Sequence, residues 1–173
     1  TPTEKTDLGF EIAASKNDLN LFSNLDDSNN NGFAGKLKVS QNLIKNDSLW
    51  SLKVFADADF IQKNFKTIER LYNAEFNRDW NLDDGSVNPS TINFGNQTLI
   101  ASGLSLNHPK KGTATYQIEH LGYSENFNGN RHVLNTNLML NKFRIASYSS
   151  YLNATSNTNS STFLRSSNRI TTA

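Results

Sequence analysis

From Trp50 to Phe60 the chain alternates: Trp50, Leu52, Val54, Ala56, Ala58 and Phe60 share one side, Ser51, Lys53, Asp57 and Asp59 the other. Successive Cβ atoms of an extended strand point to opposite sides of the pleat, so a period of two predicts a strand with two unlike faces. Comparable runs recur along the sequence, each closed by a turn rich in Asn, Asp, Gly or Lys. Strand after strand joined by short polar turns predicts one all-β region over residues 1–173, an antiparallel meander. A doubly wound sheet would need helices between the strands.

Leu8, Phe10, Ile12 and Ala14 mark the first strand, and the Asn-rich tract 26–32 that follows reads as a loop. The clearest hairpin runs from Gly35 through Leu37 and Val39 towards Leu43, turns at Lys45-Asn46-Asp47-Ser48, and returns along Trp50 to Phe60. Phe65 to Trp80 fits two periods, because Ile68, Tyr72, Phe76 and Trp80 match both alternation and a helical i, i+4 stripe. Its neighbours are strands, so the sequence reading places a strand there, ended by the loop from Asp83 to Pro89. One or two strands are expected over Ile92, Phe94, Ile100, Leu104 and Leu106, and further strands around Ala114 to Ile118, Leu134 to Leu140, Phe143 to Tyr151 and Phe163 to Ile170. Their turns are expected at 107–112, at Asn128-Gly129-Asn130, at Asn141-Lys142 and at 157–159. Phe163 to Ile170 would have no further hairpin mate, as in part of a larger chain.

Asparagine makes up about one residue in seven, which suits many tight turns. With 17 Lys+Arg against 16 Asp+Glu, no excess of either sign points to a nucleic-acid partner. Cysteine is absent, which removes disulfides, thiolate catalysis and zinc-thiolate sites. No apolar run reaches the roughly 20 residues of a membrane helix, and no signal-peptide pattern precedes the first strand, so Thr1-Pro2-Thr3-Glu4 reads as a mature N-terminus. Alternation with one apolar and one polar side suits a segment of an outer-membrane β-barrel or a long surface sheet; the alternative is a soluble two-sheet sandwich.

The run FKTIERLYNAEFNRDWNL from Phe65 to Leu82 is followed by Phe94-Gly95-Asn96-Gln97, Tyr116-Gln117-Ile118-Glu119 and Ser124-Glu125-Asn126-Phe127. Together with Asn20-Leu21-Phe22-Ser23, these stretches resemble long envelope proteins of Bacteroidota. The resemblance implies an outer-membrane or cell-surface β-protein of a Gram-negative bacterium, of which this chain is an internal piece. Its implied partners are other envelope proteins or the remainder of its own chain. It implies no catalytic residues.

Asp27-x-Asn29-x-Asn31-Gly32 matches the first half of a calcium loop, but position twelve is Lys38 where a bidentate Glu is needed. Calcium is therefore the one cofactor to test, and a solvated hairpin loop is the simpler reading. His120 and His132 flank a predicted turn and would face each other, with Glu119 or Glu125 as further zinc or copper ligands. Asp57 and Asp59 lie about 7 Å apart on one strand face, a separation open to glycosidase chemistry, but no cleft or apolar pocket for a general acid accompanies them. Glu69, Glu75 and Asp79 would form a similar row on a strand over 65–80. Arg70, Tyr72, Phe76, Arg78 and Trp80 would make a row of cations and aromatics, able to bind a glycan or sit at a lipid interface. Asp47-Ser48-Leu49 resembles a bacterial O-glycosylation acceptor, with Ser48 at a predicted turn. The sequence thus predicts a non-enzymatic structural or interaction segment of an envelope protein. The alternative function is a soluble module that binds glycan or protein.

Overall fold

The computed structural model describes residues 5–18, 30–44, 49–67, 71–82, 95–124, 126–157 and 159–172. Eight antiparallel strands form one sheet in sequence order: β1 (Thr6–Lys16), β2 (Asn31–Ile44), β3 (Ser51–Ile61), β4 (Gln97–His108), β5 (Gly112–Tyr123), β6 (Phe127–Leu140), β7 (Phe143–Ser156) and β8 (Ser160–Thr172). The meander expected from the alternation is present. The sheet is not closed: β1 pairs only with β2, and β8 only with β7. The described strands form this one sheet and no second one, so the two-sheet sandwich is not the architecture.

The register sorts every strand residue onto one of two faces, since directly paired residues of antiparallel strands point the same way. On one face lie Leu8, Phe10 and Ile12 of β1, Leu37 and Val39 of β2, Leu52, Val54 and Phe60 of β3, Ile100, Leu104 and Leu106 of β4, and Tyr116 and Ile118 of β5. Leu134, Leu138, Ile145, Tyr151, Leu164 and Ile170 continue that face across β6 to β8. The other face carries Glu11, Lys36, Lys38, Lys53, Asp57, Asp59, Gln117, Glu119, Arg131, Arg144, Arg165 and Arg169.

Burial is inverted relative to a water-soluble sheet. The apolar face is the bare one: Phe10 is 77% exposed, Ile12 78% and Leu164 70%. Among exposed large apolar side chains within the strands, Met139 and Phe163 lie on the polar face and Leu43 sits at a β2 bulge; the rest lie on the apolar face. The buried residues Leu121, Val133, Leu152, Ala154, Glu119 and Ser150 belong to the polar face, while buried His108, the last residue of β4, lies on the other.

Two turns follow from backbone preference. Gly112 closes the β4–β5 hairpin at φ +98°, where a side chain would be strained, and Asn141 opens the two-residue β6–β7 turn at φ 53°. The β5–β6 turn falls at Ser124 to Asn126, not at Asn128 to Asn130, and those three residues belong to β6. The segment expected as a strand over 65–80 is also different. Its described part contains no strand, and Phe76–Asp79 forms a single helical turn, α1. Tyr72, Phe76 and Trp80 follow the helical period, and a buried position for Trp80 outweighs extension of the sheet. The β2–β3 turn at 45–48 and the loop at 83–89 lie outside the described residues.

Candidate functional site

The connection between β3 and β4 folds back across the polar face as a strap. Near β3, Gln62 N–H donates to Phe33 O at 2.9 Å, and Lys66 N–H donates to Ser15 Oγ on β1 at 2.9 Å. Further along, Tyr72 OH accepts from Gln97 Nε2 on β4 at 2.8 Å, and Asn81 Nδ2 donates to Ser161 Oγ on β8 at 3.3 Å. The described parts of one connection thus touch both edge strands.

Trp80 anchors the strap. Only 1% of it is exposed, and it packs with Leu121, Leu152 and Ala154, flanked by Phe76, Leu82, Leu99, Tyr123 and Phe127. Gly129 makes the space: a Cβ there would lie 3.1 Å from Trp80 Cε3 and 2.9 Å from Phe127 Cε1. A glycine inside a strand is a site of close approach, here by an indole.

Beside the indole lies a charge network. The Arg131 guanidinium sits 5.0 Å from the Trp80 ring centroid, while its Nε donates to Glu119 Oε2 at 2.6 Å. Its Nη1 faces Asp79 Oδ2 at 3.0 Å, at ion-pair distance but out of line for a hydrogen bond. Asp79 Oδ1 accepts from Arg165 Nη1 on β8 at 2.9 Å, and Gln117 Nε2 donates to the second oxygen of Glu119. Two carboxylates and two guanidinium groups therefore balance, and Arg131, Glu119 and Asp79 are each at most 16% exposed at the side chain. Such a network holds position, because removing one member strands its partner in a poorly solvated place.

The polar face of β1 to β3 interleaves charges of both signs. Glu11 pairs in register with Lys36 and Lys36 with Asp59, the last pair joined at 3.1 Å; Lys38 stands opposite Asp57. Asp59 Oδ1 is buried with no hydrogen-bond partner among the described residues. Burial and the negative charge of nearby Asp59 push the Tyr72 hydroxyl above the usual tyrosine range.

The row expected from Arg70, Tyr72, Phe76, Arg78 and Trp80 does not form as such. Arg70 lies outside the described residues, and Arg78 pairs with Glu75 on the outside of the strap. Tyr72 and Phe76 stack at 4.2 Å, with Phe76 tilted against Trp80 at 6.4 Å. This helical stack buries Trp80, leaving it no free face for a sugar. Asp27, Asn29 and Ser48 lie outside the described residues, while Asn31 is the exposed first residue of β2, paired with Lys16. His120 and His132 are not opposed: His120 pairs with Asn130 and His132 with Ile118. Each ring meets a neutral partner, Asn130 Oδ1 at 3.0 Å and Tyr116 OH at 2.8 Å. No metal-binding cluster occurs among the described residues. Asp57 and Asp59 share the polar face as expected, opposite lysines; Glu69 lies outside the described residues, and Glu75 and Asp79 form ion pairs. The sequence reading missed the Glu119–Arg131 pair, which was findable because both lie equally far from the centre of the β5–β6 turn. No family model, curated protein or solved structure matches the chain.

Proposed function

We propose that this sheet is part of the wall of an outer-membrane β-barrel, with the apolar face against lipid, the polar face lining the lumen, and a structural rather than catalytic role. The observation that carries the reading is the inversion of burial, with large aliphatic and aromatic side chains on the bare face and charges on the face covered by the strap. In water an apolar surface of this extent promotes association, whereas lipid removes the cost. A 12-residue strand such as β5 is about 40 Å long, and a tilt near 40° reduces its rise to about 30 Å, the thickness of a bilayer's hydrocarbon core.

Two further features support this reading. One end of the sheet has the tight turns Asn141-Lys142 and Pro109 to Lys111, and the two longest connections, 17–30 and 62–96, both leave the other end, beside the short β5–β6 and β7–β8 turns. Outer-membrane barrels turn tightly on the periplasmic side and carry their long loops outside, so the strap would enter the lumen from the cell exterior. The apolar face also carries polar side chains that hydrogen-bond one another: Ser147, Ser149, Ser166 and Asn168 across β7 and β8, and His120 with Asn130 and His132 with Tyr116 across β5 and β6. Mutual pairing is how small polar groups are satisfied at a lipid boundary. Strands that continue the sheet at β1 and β8, from the same chain or from envelope partners, would complete the barrel.

Size-exclusion chromatography with and without detergent tests the reading. It predicts aggregation in water and a monodisperse species in maltoside micelles. A monodisperse monomer in water would overturn it.

A further inference from the structure

We propose that the polar face of β7 and β8 holds a binding site for phosphate-type oxyanions, with Arg144 and Arg169 as its ligands. The reading above is what places this site in a lumen; the pairing itself rests on the sheet register. After Glu125 the sequence contains no Asp or Glu, and the arginines of β6 to β8 all fall on the polar face. Two of the four are neutralised, Arg131 by Glu119 and Asp79 and Arg165 by Asp79. Arg144 and Arg169 have no carboxylate partner among the described residues.

Their placement is the second observation. Arg144 pairs with Thr171 and Ala146 with Arg169, so the two arginines are diagonal neighbours on one face, at a separation of about 7 to 8 Å. Like charges so placed repel, and an anion between them turns that repulsion into attraction. Asn137 Oδ1 accepts from Arg144 Nε at 3.3 Å, which orients one guanidinium and leaves its terminal nitrogens directed elsewhere. Thr171 and Ser167 share the face and offer hydroxyl donors. A planar guanidinium fork matches two oxygens of a tetrahedral oxyanion, a geometry that spherical chloride cannot use. Rings of Arg or Lys are also how pores favour anions and phosphate. On β1 to β3, by contrast, Lys36 stands opposite Glu11 and Asp59, and Lys38 opposite Asp57.

The test is titration of the intact protein in maltoside micelles with inorganic phosphate at constant ionic strength, read from the arginine Nε–Hε signals. The expected result is saturable shifts at Arg144 and Arg169, with little response to chloride. Arg144→Gln and Arg169→Gln should each weaken binding about tenfold or more, Lys replacements should keep the fold and recover part of the affinity, and Lys53→Gln should change nothing. Shifts that do not saturate, that chloride reproduces, or that survive both Gln replacements would overturn the site. A response only to an added anionic phospholipid would also overturn it. Saturable binding by a protein that stays monodisperse without detergent would retire the barrel wall and keep the oxyanion site; detergent dependence without binding would do the reverse.

Discussion

At Gly129 a missing side chain decides where a loop goes. A Cβ there would press on the rings of both Phe127 and Trp80, and Arg131, two residues along β6, lies over the indole while gripping Glu119 and Asp79. Gly129→Val should therefore displace Trp80, seen as a red shift of its fluorescence in a Trp50→Phe background; an unshifted spectrum would show that the pocket yields without moving the ring. Arg131→Ala leaves Glu119 and Asp79 without their shared cation and should cost about 3 to 5 kcal/mol, measured by denaturant unfolding. A loss below about 1 kcal/mol would mean that water reaches the network. Tyr72 gives a pH test. Its hydroxyl is held above the ordinary value near 10, so the unfolded chain loses this proton first and stability falls as pH rises from about 10 upward. Tyr72→Phe should flatten that alkaline decline, and an unchanged profile would contradict the assignment.

At the scale of elements, the strands were legible because alternation is local, whereas the strap was not. Leu8 to Ala14, Leu52 to Phe60 and Ala114 to Ile118 show their faces within a few residues, and the register confirms which side each takes. For Tyr72, Phe76 and Trp80 the spacing fits both periods, and the choice depends on Gly129, Leu121 and Leu152 from strands distant in sequence. The histidine pairing failed for a smaller reason. Placing the β5–β6 turn slightly too late makes His120 and His132 partners, whereas the actual centre pairs Glu119 with Arg131 and His120 with Asn130. Moving the turn centre by one residue shifts the partner of every position in the hairpin by two. The strap is expected to open separately from the sheet: Trp80→Ala, at about 3 to 5 kcal/mol, should expose residues 71–82 to protease while β2 and β3 keep their amide protection. Simultaneous loss of both would show the strap and sheet to be one cooperative unit.

For the whole molecule, the central claim is that one face meets lipid and the other meets water, and adjacent residues test it because they point to opposite sides. These 173 residues contain no cysteine, so single replacements within them report without background from their own segment. On β5 and β6, Ile118 and Leu134 belong to the apolar face, and their neighbours Gln117 and Asn135 to the polar one. The decisive measurement is labelling of Gln117→Cys, Ile118→Cys, Leu134→Cys and Asn135→Cys in native membranes with a water-soluble maleimide and with a bilayer-confined probe. Strict alternation is expected, with 118 and 134 reached only from lipid and 117 and 135 only from water. Equal reaction of Ile118→Cys and Gln117→Cys with the water-soluble reagent would contradict it.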